Sequence, residues 1–154
     1  MNADQTQNMP SEETVTSPAR FIFDACAFIV YFNNEPGAEK AEQLIEGAKL
    51  GVNELYAMSV NLYEVYYDAL RSGSPEKAEE VLLDLYTMPL SIVETVDRPL
   101  MRDAGYFKTH FKMSLADSLA LALARKVNAK VVTTDHHEFD NVEKADALQF
   151  FWLR

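Results

Sequence analysis

Short apolar runs alternate with amphipathic stretches along nearly the whole chain, and this alternation narrows the possible folds more than any other feature. Arg20-Phe21-Ile22-Phe23 is continuously apolar after its first residue, which suits a strand buried on both faces. A helical stretch follows from Ala25 to about Phe32, and Asn33-Asn34-Glu35-Pro36-Gly37 breaks it. The next helix spans roughly 37–49, with Ala41, Leu44, Ile45 and Ala48 on one face. Leu55-Tyr56-Ala57-Met58 reads as a second strand, after which Ser59 or Asn61 caps a helix with Leu62, Val65, Tyr66, Ala69 and Leu70 facing inward. Ser74 and Pro75 open a helix that buries Ala78, Val81, Leu82 and Leu85 and stops at Pro89. Leu90–Val93 is a third strand, ending near Thr95. Asp97 caps a helix carrying Met101, Ala104 and Phe107. Ser114 opens the most apolar helix, 115–127, which Asn128 ends. Val131-Val132-Thr133 is a fourth strand, and Leu148–Phe151 a short last one.

Strands separated by helices call for an α/β fold with a mainly parallel sheet of four to five strands. Residues 1–19 are polar and acidic, with Pro10 and Pro18. They are expected to be a disordered N-terminal extension, leaving 20–154 as the folded domain. A single cysteine, Cys26, excludes an intramolecular disulfide and a cysteine-built zinc site. No apolar run approaches the roughly 20 residues that span a bilayer, and no secretory signal opens the chain. The protein is therefore expected in the cytoplasm, without membrane contact.

The chemistry lies at the ends of these segments. Asp24 closes the first strand, Asp135 follows the fourth, and Glu64 and Asp117 stand near the starts of two helices. Ligands of open α/β sheets bind at the carboxyl ends of the strands, beside helix N-termini. Four carboxylates pooled there repel one another and make sense around a divalent cation. Hard oxygen donors without His or Cys suit Mg²⁺ or Mn²⁺, and the reaction class is phosphodiester hydrolysis. Each acid alone has a plainer reading. Asp117 completes a capping box with Ser114, Glu64 stands three residues after Asn61, and Asp24 and Asp135 fit turn or cap positions.

The net charge of −10 disfavours non-specific nucleic-acid binding. A locally basic region, with Arg98, Arg102, Lys108, Lys112, Arg125, Lys126 and Lys130, tempers that argument. His136 and His137 follow Asp135 and read first as exposed loop histidines, and His110 as a helix-surface residue. Cys26 reads as a small buried apolar residue rather than a nucleophile. Tyr63 and Tyr67 are helical neighbours while Tyr66 packs inward, with core or dimer contact ahead of base stacking.

The segments Phe21-Ile22-Phe23-Asp24-Ala25, Ser59-Val60-Asn61-Leu62-Tyr63-Glu64-Val65, Ser114-Leu115-Ala116-Asp117-Ser118-Leu119-Ala120-Leu121-Ala122 and Thr133-Thr134-Asp135 resemble the PIN-domain family. Within it the chain is most similar to the VapC-type toxins of toxin–antitoxin pairs. The resemblance implies a three-layer α/β/α fold and a Mg²⁺- or Mn²⁺-dependent endoribonuclease. Asp24, Glu64, Asp117 and Asp135 would be its metal-site acids, with Thr133 as supporting hydroxyl. It further implies an RNA substrate, a homodimer and a cognate antitoxin protein. The chain departs from the family in carrying Cys26 where a polar residue often stands, in its N-terminal extension, and in its acidity. The competing expectations are a catalytically silent PIN-like protein-binding module, and a PIN nuclease acting in RNA maturation or on DNA.

Overall fold

The computed structural model describes residues 17–154; the expected extension lies almost wholly outside them. β1 (Ala19–Phe23) leads into α1 (Ala25–Phe32) and α2 (Ala38–Lys49), and β2 (Asn53–Met58) into α3 (Ser59–Ser72) and α4 (Pro75–Thr87). β3 (Leu90–Val93) is followed by α5 (Arg98–Phe111) and α6 (Leu115–Val127), and β4 (Lys130–Thr133) by α7 (His136–Lys144) and β5 (Phe150–Trp152). The five strands form one sheet in the order β3-β2-β1-β4-β5, and every pairing is parallel.

Both faces of the sheet are covered, so the central strands bury successive residues on opposite sides. Phe21 and Phe23 pack with Leu62, Val65, Val81 and Leu85 from α3 and α4, and with Phe28 and Ile45 from α1 and α2. Ile22 and Val131 turn the other way, onto Leu100 and Phe107 of α5, Leu121 and Leu123 of α6, and Phe139 and Val142 of α7. The result is three layers, α/β/α.

Local signals set most boundaries. Ser74, Asp97 and Ser114 each accept a backbone N–H through their side chain at a helix start. Asn128 closes α6 in the left-handed conformation at φ 53°. Gly37 has φ 99°, and a Cβ there would stand 2.7 Å from the Leu153 carbonyl oxygen.

Several expectations are corrected. α3 starts at Ser59 straight from β2, with Met58 at the cap position and no side-chain cap, so neither Ser59 nor Asn61 caps it. Leu100, Ala104 and Phe107 form the buried stripe of α5, and Met101 is exposed; spacings of four and three set the phase. Leu70 is also exposed. The last strand is Phe150–Trp152 because Val131 pairs with Phe150. The His136–Lys144 helix has only Phe139 and Val142 buried, too weak a periodicity to declare itself, and it makes His136 and His137 helical rather than loop residues.

Candidate metal centre

The topology decides where the acids meet. From β1 the chain builds outward through β2 to β3, then crosses by α5 and α6 to place β4 on β1's other side. The switch point therefore lies between β1 and β4, where parallel α/β sheets present ligand sites. Asp24 leaves the end of β1, Asp135 the end of β4, and α3 and α6 begin nearby with Glu64 and Asp117.

Asp24 is only 1% exposed. It caps α1, accepting the Ala27 N–H at 2.7 Å through Oδ1 and the Thr133 hydroxyl through Oδ2. Thr133, fully buried, also accepts the Asp135 N–H at 3.0 Å, so one hydroxyl joins the ends of β1 and β4. Asp135 caps α7 by accepting the Glu138 N–H at 3.1 Å. Ser114 accepts the Asp117 N–H at 3.0 Å and donates its hydroxyl back to Oδ2 of that residue. Asn61 donates a long 3.5 Å bond to Glu64, while its own Oδ1 is buried without a partner among the described residues.

Burial pushes Asp24 up from 3.8 to about 7; the Thr133 and Ala27 bonds oppose this, and the charges of Asp117 and Asp135 add to it. Glu64 is raised by burial and then by Asp117. Asp117 is raised by burial, against its Ser114 bond, and further by Glu138 and Asp135. Cys26, half-buried, is pushed up to about 12 by burial and then by all four acids, so it lies beside the cluster as a neutral thiol.

Charge couples Asp24 with Asp117 and Asp135, and Glu64 with Asp117, along this one edge of the sheet. Among the described residues none of the four forms an ion pair, so their charge is uncompensated by protein. That and the all-oxygen donor set fit a hard divalent cation. Each carboxylate is turned toward its local donor, and among the described residues no three His, Cys, Asp or Glu side chains stand grouped tightly enough to hold a metal as placed. Glu138, in the first turn of α7, was not anticipated. Its signal was its place three residues after Asp135, visible only once that stretch is known to be helical.

A concavity of about 640 Å³ lies at the opposite, amino-terminal edge of the sheet, its lining including Arg20, Arg125, Lys130 and Asp146. None of the four acids lines it, so the chemistry rather than the cavity marks the site. The expected basic region is partly neutralised. Arg125 pairs with Asp103 at 3.1 Å, Lys126 with Asp97 at 2.6 Å, and Lys108 donates to the Met113 carbonyl.

Known structures share this architecture. DNA-bound VapBC from Salmonella typhimurium superposes with a TM-score of 0.67 at 17% identity, covering 88% of this chain and 99% of that one. VapBC2 from Rickettsia felis, bound to a promoter DNA fragment, gives 0.66 at 19% identity over 86% and 97%. VapC20 from Mycobacterium tuberculosis, a sarcin–ricin-loop-cleaving toxin, gives 0.60 at 14% over 83% and 95%. No curated protein matches the chain. At these identities the likeness is one of fold. The profile of the PIN domain matches residues 21–145, most of the chain, and with the parallel sheet and its acid-lined edge it makes this protein a member of the PIN-domain family.

Proposed function

We propose that the protein is a metal-dependent endoribonuclease that hydrolyses RNA phosphodiester bonds, acting as the toxin of a toxin–antitoxin pair. One observation carries the reading: four carboxylates without a cationic partner stand at the carboxyl-terminal edge of the sheet within one another's field, and one of them is buried. Asp24, Glu64, Asp117 and Asp135 would hold Mg²⁺ or Mn²⁺. When bound, such an ion activates water for attack and offsets charge building on the phosphoryl group.

The chain's own residues hold these acids ready. Thr133 fixes the Asp24 carboxylate and, through the Asp135 amide, the start of α7. Ser114 fixes Asp117 from both directions, and Asn61 restrains Glu64. Cys26 stays protonated, so it lines the site without acting as a nucleophile. The VapBC neighbours support a cognate antitoxin as partner, and the toxin named for sarcin–ricin loop cleavage supports RNA as the substrate. A homodimer working in the cytoplasm completes this reading.

The spread of the acids, with no three grouped to ligate, favours one rival: a silent PIN-like module. Incubation of the purified protein with total RNA in Mg²⁺ or Mn²⁺ separates them. Discrete fragments are expected, lost in EDTA and in both Asp117→Asn and Asp24→Asn. Cleavage that survives in both variants refutes the assignment. Absence of both cleavage and Mn²⁺ binding supports the silent module, and a preference for DNA supports the third expectation.

A further inference from the structure

Next to the acid-lined edge lies an aromatic stack that the proposed chemistry does not use. Phe150 and Trp152 stand two residues apart on β5, so their rings share one face of the sheet, 5.3 Å apart and 17° from parallel. The His136 ring lies on the indole at 3.9 Å and 11°. Both rings are pinned at their edges. His136 Nδ1 is 2.8 Å from Asp140 Oδ1 and Nε2 is 3.1 Å from the Arg154 carbonyl. Trp152 Nε1 donates to both oxygens of Glu143, at 3.1 and 3.2 Å.

Even so, the His136 side chain is 51% exposed. Indole covers one face and both nitrogens are engaged, so the exposed area is the outer face of the ring. A flat aromatic surface, held still and open on one side, is what single-stranded nucleic acids use for base stacking. The exposed Tyr63–Tyr67 pair is less suited, since its rings tilt at 57°.

The position fits as well. Trp152 pairs in register with Thr133, so the stack rises from the strand next to β4, and its His136 directly follows Asp135. Asp140 and Glu143 border the rings and repel phosphate, which leaves the base face rather than the backbone as the feature recognised.

We propose that the outer face of His136, backed by Trp152, is a stacking subsite for an RNA base adjacent to the bond that is cut. This rests on the ribonuclease reading. The subsite makes His136 a specificity-determining residue, whereas a ring that merely anchors α7 against β5 has no dependence on the substrate's bases.

The test couples residue to base. KM and kcat are measured for the wild-type chain, His136→Ala and His136→Phe on a single-stranded RNA containing the mapped cut site. They are measured again on the same RNA with an abasic residue at each flanking position. For the wild-type chain, one abasic position is expected to raise KM about tenfold. His136→Ala raises KM about tenfold on the intact RNA and no further on that abasic one, while His136→Phe restores the wild-type pattern. Equal losses for His136→Ala on intact and abasic RNA overturn the subsite. Trp152 is the only tryptophan, so its emission follows RNA binding in the same samples. RNA that quenches Trp152 emission, with the quench weakened by His136→Ala, but is never cut overturns the nuclease reading and leaves the stacking face standing. Neither cleavage nor quenching overturns both.

Discussion

Asp24→Asn should stabilise the metal-free protein at alkaline pH while abolishing its activity. The wild-type carboxyl moves from 3.8 to about 7 on folding, chiefly through burial. The folded state therefore binds the proton more tightly than the unfolded state between about pH 4 and 7. Stability from this group is present at low pH and is lost as pH rises across that window. The full penalty on the ionised carboxylate is about 4 kcal/mol, of which about 2–3 kcal/mol develops between pH 5 and 8. Asparagine keeps an oxygen for the Ala27 N–H but deprives the Thr133 hydroxyl of its acceptor, costing about 1–2 kcal/mol. The net gain at pH 8 is then about 2–3 kcal/mol, or about 5–10 °C in melting temperature for a domain of this size. Thermal melts followed by circular dichroism in EDTA at pH 5 and pH 8 measure it, with the variant showing much the flatter pH dependence. Mn²⁺ closes the gap: at a hundredfold excess over Kd it stabilises the wild type by about 2.7 kcal/mol and the variant by far less. A variant that melts below the wild type by equal amounts at both pH values would refute the reasoning, since the ionised carboxylate would then be at ease in its site.

Three other substitutions or reactions probe the surroundings. Thr133→Val strips Asp24 of a donor and the Asp135 N–H of its acceptor; urea denaturation should show a loss of about 2–4 kcal/mol that Thr133→Ser largely restores. Gly37→Ala forces a side chain into left-handed backbone and against the Leu153 carbonyl, and should cost about 1–3 kcal/mol in the same assay. With its thiol pushed up to about 12, Cys26 should react with iodoacetamide at pH 8 at least about a hundredfold more slowly than in the unfolded chain. Comparable rates would mean that the thiol is neither buried nor beside the carboxylates.

Legibility followed the range of the physics involved. Ser74, Asp97, Ser114 and Asn128 announced helix boundaries because capping acts over three or four residues. Phe21–Phe23 announced a doubly buried strand, and the four acids stood out at segment ends. Residues 136–144 gave no such notice: two buried side chains among His, Asp and Glu leave nothing periodic to read, and α7 is defined by the core that Phe139 and Val142 join, Phe139 against Phe150 of β5. Asn61 shows the converse failure. Its sequence context offered a helix cap, but burial in α3 beside Glu64 gave it another task.

By itself, then, the sequence determined the alternation of strands and helices, the presence of four acids at segment ends, and the hard-cation chemistry those acids suit. Only the tertiary structure decided that Thr133 reaches across 109 residues to hold Asp24, that Glu138 and Cys26 share the acids' field, and that His136 lies flat on Trp152. The reason is strand order. Caps and periodicity act within a turn or two, whereas these contacts exist only because β4 crosses to β1's free edge and β5 adds beyond it.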